Sequence, residues 1–213
     1  MRNVQIRPIP LLFIGLFGLS VSFILLWVAL PASSKTQEII KNGGFEDTNL
    51  GNNHNSFRYQ PSEAHWTFLG DSGISGNFST FTADNGVAPQ GDQVAFLQGG
   101  ESSFYQNFVI EDAGFYHLTF NVAQRGGVND TLGQTVRILV DGYEISRIRP
   151  SSDNYSWITT QPVQLEPGYR VILFESLRSE GDNTVFVDNI QLEPIHSTMN
   201  ITADDSYTLY LNG

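Results

Sequence analysis

The 213-residue sequence predicts an all-β fold, a sandwich or barrel of antiparallel strands. From residue 38 to about residue 195, short alternating or apolar runs are separated by clusters of Gly, Asn, Asp, Ser and Pro, a pattern typical of such folds. No segment of this region has a helical period of apolar residues. The predicted strands are residues 66–69, 93–98, 103–110, 114–123, 134–140, 143–148, 157–165, 169–176 and 184–192.

Two segments about 140 residues apart predict the first and last strands of a single domain. In the first, residues 42–46, a glycine pair allows a tight turn, Phe45 is suited to burial and Glu46 to facing outward. The second, residues 183–192, is an apolar run interrupted by Asp188. A carboxylate inside such a run needs a polar or charged partner.

One predicted turn connects two strands of a sheet, and one predicted strand shows which residues face the core and which face away from it. Asp141-Gly142 predicts a two-residue hairpin turn, because Asp-Gly tolerates the positive φ that such turns need. Alternation along residues 114–123 assigns four residues to the core, Tyr116, Leu118, Phe120 and Val122. The residues on the opposite face of this strand include His117, Thr119 and Asn121. Together with Arg137 they predict a polar sheet face, which is either solvated or a concave binding surface.

The N-terminal segment predicts an export signal. An uncharged apolar stretch, residues 11–30, follows Arg2 and Arg7 and is long enough to form a helix across a bilayer. Residues 1–34 are therefore either a signal anchor or a signal peptide cleaved near Ala32, and any membrane association is confined to them if they are uncleaved. The arginines hold the N terminus in the cytoplasm, so the rest of the chain is exported, either secreted or anchored at the cell envelope.

The charge and cysteine content of the exported part limit the kinds of partner and the export route that we expect. Without Arg2 and Arg7, nine Lys and Arg stand against 22 Asp and Glu, a net charge of −13. Such a surface repels nucleic acid and anionic membranes and is compatible with neutral glycans and divalent cations. The chain has no Cys, so the export route predicted is a bacterial one without disulfides.

Domain boundaries follow from composition. Residues 35–41 predict a linker, residues 42–195 the β-sandwich, and residues 196–213 a second linker with the start of another β domain. Asn212-Gly213 is a hairpin signal with no strand after it, so we expect that domain to continue beyond residue 213.

The order of the segments resembles the galactose-binding-domain-like jelly rolls, in particular the secreted bacterial carbohydrate-binding modules that bind cellulose, xylan and related glucans. The resemblance implies a jelly-roll β-sandwich that docks reversibly onto a polysaccharide as a non-catalytic module of an exported or surface-anchored, multidomain protein. The segments that carry it are residues 42–46, 91–98, 104–108, 116–125, 140–142 and 186–190.

The resemblance also implies a structural calcium ion where the first and last strands meet. Its ligands would be the Glu46 and Asp188 carboxylates, with backbone oxygens completing the shell. Independently, Ca²⁺ takes about six to eight oxygens, which the turn at Gly44 and the loop that ends at Asp92 could supply. The alternative is that Glu46 is merely exposed and Asp188 accepts a hydrogen bond from a backbone N–H.

Glycan binding needs aromatic planes for stacking and amides or guanidinium groups for hydrogen bonds to hydroxyls. Tyr155 and Trp157 lie in a turn-rich segment, where binding residues are common. Gln124-Arg125 could instead be a structural clasp over the glycines that follow. The candidate ligand-binding residues are Tyr155, Trp157, Arg125, Gln124, Tyr105 and Arg137, and their pattern leaves open whether binding uses a sheet face or a loop edge.

Catalytic motifs do not stand out in the sequence. The four His residues lack metal-binding spacing, and no nucleophile elbow or phosphate-binding glycine loop occurs. We therefore expect no enzymatic activity from this chain, although a catalytic domain could follow residue 213. The alternative to glycan binding is a structural or adhesive spacer module of a surface protein with no sugar ligand.

Overall fold

The computed structural model describes residues 38–62, 65–127, 133–181 and 183–196. This part of the chain is built from β-strands and loops, which confirms the predicted all-β antiparallel class. No helix among these residues is long and apolar enough to cross a membrane. The predicted signal or anchor helix and the predicted second domain, apart from His196, lie outside the described residues.

The strands are β1 (Phe57–Tyr59), β2 (Thr67–Leu69), β3 (Ser72–Gly76), β4 (Gln93–Gln98), β5 (Ser103–Ile110), β6 (Gly114–Gln124), β7 (Val136–Val140), β8 (Tyr143–Ile148), β9 (Ser156–Thr159), β10 (Val163–Leu165), β11 (Gly168–Ser176) and β12 (Thr184–Pro194). They form two antiparallel sheets. A seven-stranded sheet has the order β1-β3-β4-β12-β6-β10, with β9 also paired to β6. A five-stranded sheet has the order β2-β5-β11-β7-β8.

Both sheets contribute to one hydrophobic core. Alternation places Leu118 and Phe120 of β6 in this core, as predicted, and Ile172 and Phe174 of β11 enter it from the other sheet. The opposite face of the seven-stranded sheet, called the outer face here, has a second and smaller cluster formed by Phe81, Ala88, Val94, Phe96 and Phe186. The core therefore lies between the two sheets, and the outer face is only partly covered.

The hairpin predicted at Asp141-Gly142 is present between β7 and β8. Both residues have positive φ, 51° and 81° respectively, as a two-residue hairpin turn requires. The Asp141 carboxylate also accepts hydrogen bonds from the Val171 N–H (2.9 Å) and the Arg170 guanidinium (2.9 Å). The turn is therefore tied to the neighbouring strand β11.

Residues 42–46 are not the first strand of the sheet, so that prediction was wrong. They form a turn in which Asn42 and Phe45 have positive φ and the Phe45 N–H donates to the Asn42 carbonyl at 3.1 Å. The physical reason is close contact with β12, because a Cβ on Gly43 would lie 2.1 Å from the Ile190 carbonyl oxygen. Phe45 is fully buried, as expected.

Other elements also differ from the prediction. The predicted strand 157–165 is two short strands, β9 and β10, because Pro162 lies between them and cannot donate to the ladder. Strand β7 begins at Val136 because the buried Gln134 amide bonds instead to carbonyls of other loops, including those of Gly99 and Arg178. Strands β1 and β3 were not predicted, and β3 is rich in glycine, which is typical of loops.

An aromatic cluster fills the centre of the core. The Phe104 ring lies 4.9 Å from that of Phe174, 5.3 Å from Trp66, 5.6 Å from Phe45 and 5.6 Å from Phe68. The Trp66 indole N–H donates to the Asn42 carbonyl at 2.9 Å, so its polar atom is satisfied. The Phe120 ring of β6 lies 5.6 Å from that of Phe174, so the cluster connects both sheets to the turn at residues 42–46.

We expect Phe104→Ala to lower the free energy of unfolding by about 3 to 5 kcal/mol, because the substitution leaves a cavity among four other aromatic rings. Denaturant unfolding of the full chain checks this loss. Tyr169→Ala is the matched control, since this ring is 87% exposed and its removal should change stability by less than about 0.5 kcal/mol. Equal losses for the two variants would contradict the assignment of the core.

Candidate functional site

A bulge in β12 organises the polar residues of the outer face. Pairing between β12 and β6 is regular up to Asp188, opposite Asn121, and resumes at Gln191, opposite Thr119. Between them Asn189 has a φ of 53°, in the left-handed region that Asn tolerates better than most residues. Bulges of this kind redirect side chains. Here Ile190 stays in the core, while Asp188 and Gln191 share the outer face with their partners on β6.

On one side of the bulge, Asp188 is fully buried beneath the loop that precedes β4. Its two oxygens accept hydrogen bonds from the Gln90 N–H (2.8 Å) and the Asn189 N–H (2.6 Å). Oε1 of Glu46 accepts from the N–H groups of Asp92 and Gln93, both at 2.7 Å. One loop therefore donates backbone hydrogen bonds to both carboxylates.

The electrostatics of this pair favour protonation or a cation. Burial, with a smaller contribution from the Glu46 charge, raises the pKa of the Asp188 carboxyl to about 8, against the two backbone hydrogen bonds, which lower it. The pKa of Glu46 is also raised, mainly by burial, with a smaller contribution from Asp92. Two neighbouring carboxyl groups with raised pKa values are a fitting environment for a divalent cation.

The fit of these residues to calcium is partial. Among the described residues, no group of three or more His, Cys, Asp or Glu side chains could hold a metal ion. A cation between Glu46 and Asp188 would therefore need carbonyl and water oxygens for most of its shell. Gly44 lies at this place, since a Cβ on it would be 2.7 Å from the Gln90 amide oxygen. Gly44, Glu46, Asp92 and Asp188, the four predicted ligands, thus lie around one loop.

On the other side of the bulge, three carboxamides form a row beside an exposed aromatic ring. Gln191 Nε2 donates to Asn189 Oδ1 at 2.6 Å, and Asn189 Nδ2 donates to Asn121 Oδ1 at 3.2 Å. Trp157 on β9 is paired with Asn121, so its side chain lies on the same face, and it is 51% exposed. We call Asn121, Asn189 and Gln191 the amide row.

Tyr155, two residues before Trp157, has a different environment. Its ring packs against the small outer cluster, and its hydroxyl is enclosed without a hydrogen-bond partner among the described residues. Burial raises the pKa of this hydroxyl, and the Asp188 charge adds to the rise, so the two groups are close enough to interact. Tyr155 therefore faces the cation side of the bulge, whereas Trp157 faces solvent.

Gln124 and Arg125 lie at a separate groove of about 730 Å³ at the end of β6. The Gln124 amide donates to the carbonyls of Gln134 (2.7 Å) and Pro150 (3.1 Å) and accepts from the Gln134 N–H. The Arg125 guanidinium lies over the Phe81 ring and donates to the Thr80 carbonyl. These contacts are those of a structural clasp. The groove is lined by Gln124, Arg125, Gly126, Gly127, Gly133 and residues 149–153.

Tyr105 and Arg137 lie on the five-stranded sheet, on strands β5 and β7. Arg137 forms an ion pair with Glu175. The predicted polar face that combined Arg137 with the residues of β6 was therefore wrong, because the two strands belong to different sheets. The six predicted glycan-binding residues are thus divided among three places.

Sequence reasoning missed Asn189 and Gln191. The signal that could have found them is Asp188-Asn189 inside an apolar strand, since Asn in such a place is typical of a bulge with left-handed backbone. Regular alternation would have put Asn189 in the core, so the sequence alone did not place it beside Trp157.

The chain has low similarity to solved carbohydrate-binding modules. The TmCBM61 structure in complex with β-1,4-galactotriose is 18% identical with a TM-score of 0.51, covering 75% of this chain and 100% of that one. A family 35 module from Clostridium thermocellum is 17% identical (TM-score 0.44; 64% and 96% covered). CBM36 in complex with calcium and xylotriose is 12% identical (TM-score 0.39; 46% and 79% covered).

The first of these similarities confirms the predicted galactose-binding-like jelly-roll fold. No curated protein matches the chain in sequence. Residues 36–162 match the HpiC1-like family, which is described as HpiC1 cyclase. This match spans more than half of the 213 residues, from the linker through β9. The chain therefore belongs to the HpiC1-like family.

Proposed function

We propose that this chain is a non-catalytic carbohydrate-binding module that docks reversibly onto a polysaccharide. The observation that carries the proposal is the half-exposed Trp157 beside the amide row on the outer face. An indole ring stacks on the apolar face of a sugar, and carboxamides donate to and accept from its hydroxyls. The jelly-roll fold shared with a galactotriose-binding module supports the same function.

The proposal extends to export and to multidomain context. The apolar stretch of residues 11–30 supports secretion or anchoring at a bacterial cell envelope, and residues 196–213 support a further domain. The net charge of −13 beyond Arg7 favours a neutral glycan over nucleic acid or an anionic surface.

A calcium ion at Glu46 and Asp188 would brace the module rather than bind sugar directly. Its charge would neutralise two carboxyl groups whose pKa values are both raised in the folded protein, mainly by burial. Asp188 adjoins Asn189 in the bulge, and the Gln90 loop covers it. A cation there would fix the position of the loop relative to the bulge, with Gly44 and Asp92 near its coordination shell.

A second candidate function is acid catalysis of a ring closure. It is favoured by the family, described as HpiC1 cyclase, together with a carboxyl group at Asp188 whose raised pKa of about 8 keeps it protonated at neutral pH. Because the Asp188 side chain is fully buried, a substrate could reach it only after the Gln90 loop moved. We therefore place glycan binding first.

We expect the chain to be retained on at least one neutral polysaccharide in a panel of cellulose, xylan and galactan, and Trp157→Ala to weaken that retention about tenfold or more. The measurement is affinity electrophoresis of the full chain, in a detergent without a sugar headgroup because residues 11–30 are apolar. Tyr169→Ala, an exposed aromatic substitution on the other sheet, should leave retention unchanged.

Loss of retention with Tyr105→Ala and not with Trp157→Ala would move the site to the five-stranded sheet. An absence of retention on every glycan would contradict glycan binding and favour a spacer module. Recovery of a chemically altered oligosaccharide would favour the catalytic function.

We expect the melting temperature in chelator to fall as the pH rises from 5 to 8, by about 5 °C. The pKa of Asp188 is raised from 3.8 to about 8 in the folded protein, so the stability that its proton contributes is fully present below about pH 4 and is lost progressively as the pH rises to 8. Glu46 shifts in the same direction. Asp188→Asn, which has no proton to lose, should flatten this dependence.

Calcium at pH 8 should restore the melting temperature of the wild type by several degrees and leave that of Asp188→Asn nearly unchanged. Melting curves that are identical with calcium and with chelator would contradict the cation site. Differential scanning calorimetry of the full chain makes both comparisons.

A further inference from the structure

We propose that the amide row and Thr119 form the polar half of a subsite on the outer face that binds an uncharged sugar ring stacked on Trp157. The inference rests on the proposed function and names the residues and the ligand class of its site. Three observations support it: the bulge, the hydrogen-bonding capacity of the amides, and one buried hydroxyl that has no partner among the residues that the structure describes.

The bulge creates the polar half by placing side chains that a regular strand would separate. Asn189 would point into the core if β12 alternated without interruption. With its φ of 53°, its amide instead bonds on one side to Asn121 and on the other to Gln191. Strand pairing sets Gln191 opposite Thr119 and Asn121 opposite Trp157, so all five side chains share one surface.

The amide row has hydrogen-bonding capacity left over. Each carboxamide has two N–H donors and an oxygen that accepts two hydrogen bonds. Among the described residues, the side-chain oxygens of Asn121 and Asn189 each accept one hydrogen bond, and the side-chain NH₂ groups of Asn189 and Gln191 each donate one. These two hydrogen bonds therefore fix the orientation of the amides, and the amide row keeps further N–H donors and oxygen acceptors for neighbouring hydroxyls of a sugar.

Thr119 supplies the independent sign of a ligand. Its side chain is 4% exposed, and its hydroxyl is buried without a hydrogen-bond partner among the described residues. Leaving such a buried group unpaired is unfavourable. Cross-strand pairing holds it between Gln191 and Thr159, on the face that carries the amide row. Because the hydroxyl is enclosed, a sugar hydroxyl would reach it once a neighbouring side chain moved aside, and the new hydrogen bond would remove this cost.

The charges around the subsite favour a neutral ligand. The groups of the subsite itself are amides, a hydroxyl and an indole. The neighbouring ionisable groups are Asp188, opposite Asn121, and the pair of His117 with Glu193 (3.4 Å) farther along the same strands. A uronate or sulfate would meet the Glu193 carboxylate, whereas a neutral ring meets no repulsion.

The test combines three variants with binding of cellotriose, xylotriose and galactotriose, and with glucuronic acid as the charged comparison. Asn189→Gly keeps the left-handed backbone and removes the amide. Gln191→Ala removes the other end of the row. Thr119→Val keeps the shape and removes the hydroxyl. Each variant should weaken binding of the preferred trisaccharide about tenfold, the loss of one good hydrogen bond.

Stability separates binding from a structural role. The Thr119 hydroxyl has no partner within the described part of the chain, so the Thr119→Val variant should melt at the same temperature as the wild type or higher, while losing affinity. A lower melting temperature with unchanged affinity would overturn its assignment to the subsite.

NMR spectra of the wild-type chain, labelled with ¹⁵N at the Asn and Gln side chains, test the subsite without any substitution. The trisaccharide should shift the signals of Asn189 and Gln191 and leave those of the clasp residue Gln124 in place. If the trisaccharide binds and depends on Trp157 but neither shifts these signals nor responds to the variants, the inference is overturned and the proposed function stands.

Equal affinity for glucuronic acid would overturn the assignment to neutral sugars. If no glycan binds the wild type, the inference fails together with the proposed function.

Discussion

The bulge at residues 188–191 determines how the polar side chains of the outer face are arranged. It is held by a hydrogen bond from the Ile190 N–H to the Gly43 carbonyl (3.0 Å), and residue 43 must be glycine because β12 approaches so closely. The register is regular up to Asp188, which lies under the Gln90 loop, and the shift that follows turns Asn189 toward Asn121. The irregularity therefore builds the amide row directly beside the carboxylate site.

The two sites have complementary physical roles. Asp188 is fully buried, with a pKa raised by desolvation and by Glu46, and so contributes to stability in a way that depends on protons or cations. The amide row lies beside an exposed ring and contributes hydrogen-bonding groups. Because Asp188 and Asn189 are adjacent in the chain, whatever fixes the first also orients the second.

Sequence patterning predicted the strands where alternation and turn chemistry agree. β6 and its core residues, and the hairpin at Asp141-Gly142, follow from periodicity and from the positive φ of the turn. It also paired Glu46 with Asp188 at one place. It could not predict that residues 42–46 form a turn, or that β6 and β7 lie in different sheets, because both depend on long-range packing. The bulge hid the amide row, since a one-residue shift reverses the face of a side chain.

A crystal structure of the chain with a bound neutral trisaccharide and calcium would show whether the bulge builds a sugar-binding surface beside Trp157. We expect a sugar ring stacked on Trp157, with hydroxyls at hydrogen-bond distance, roughly 2.7 to 3.2 Å, from the amide row and Thr119. A sugar seated in the groove beside Gln124 and Arg125, or on the five-stranded sheet at Tyr105, would contradict it.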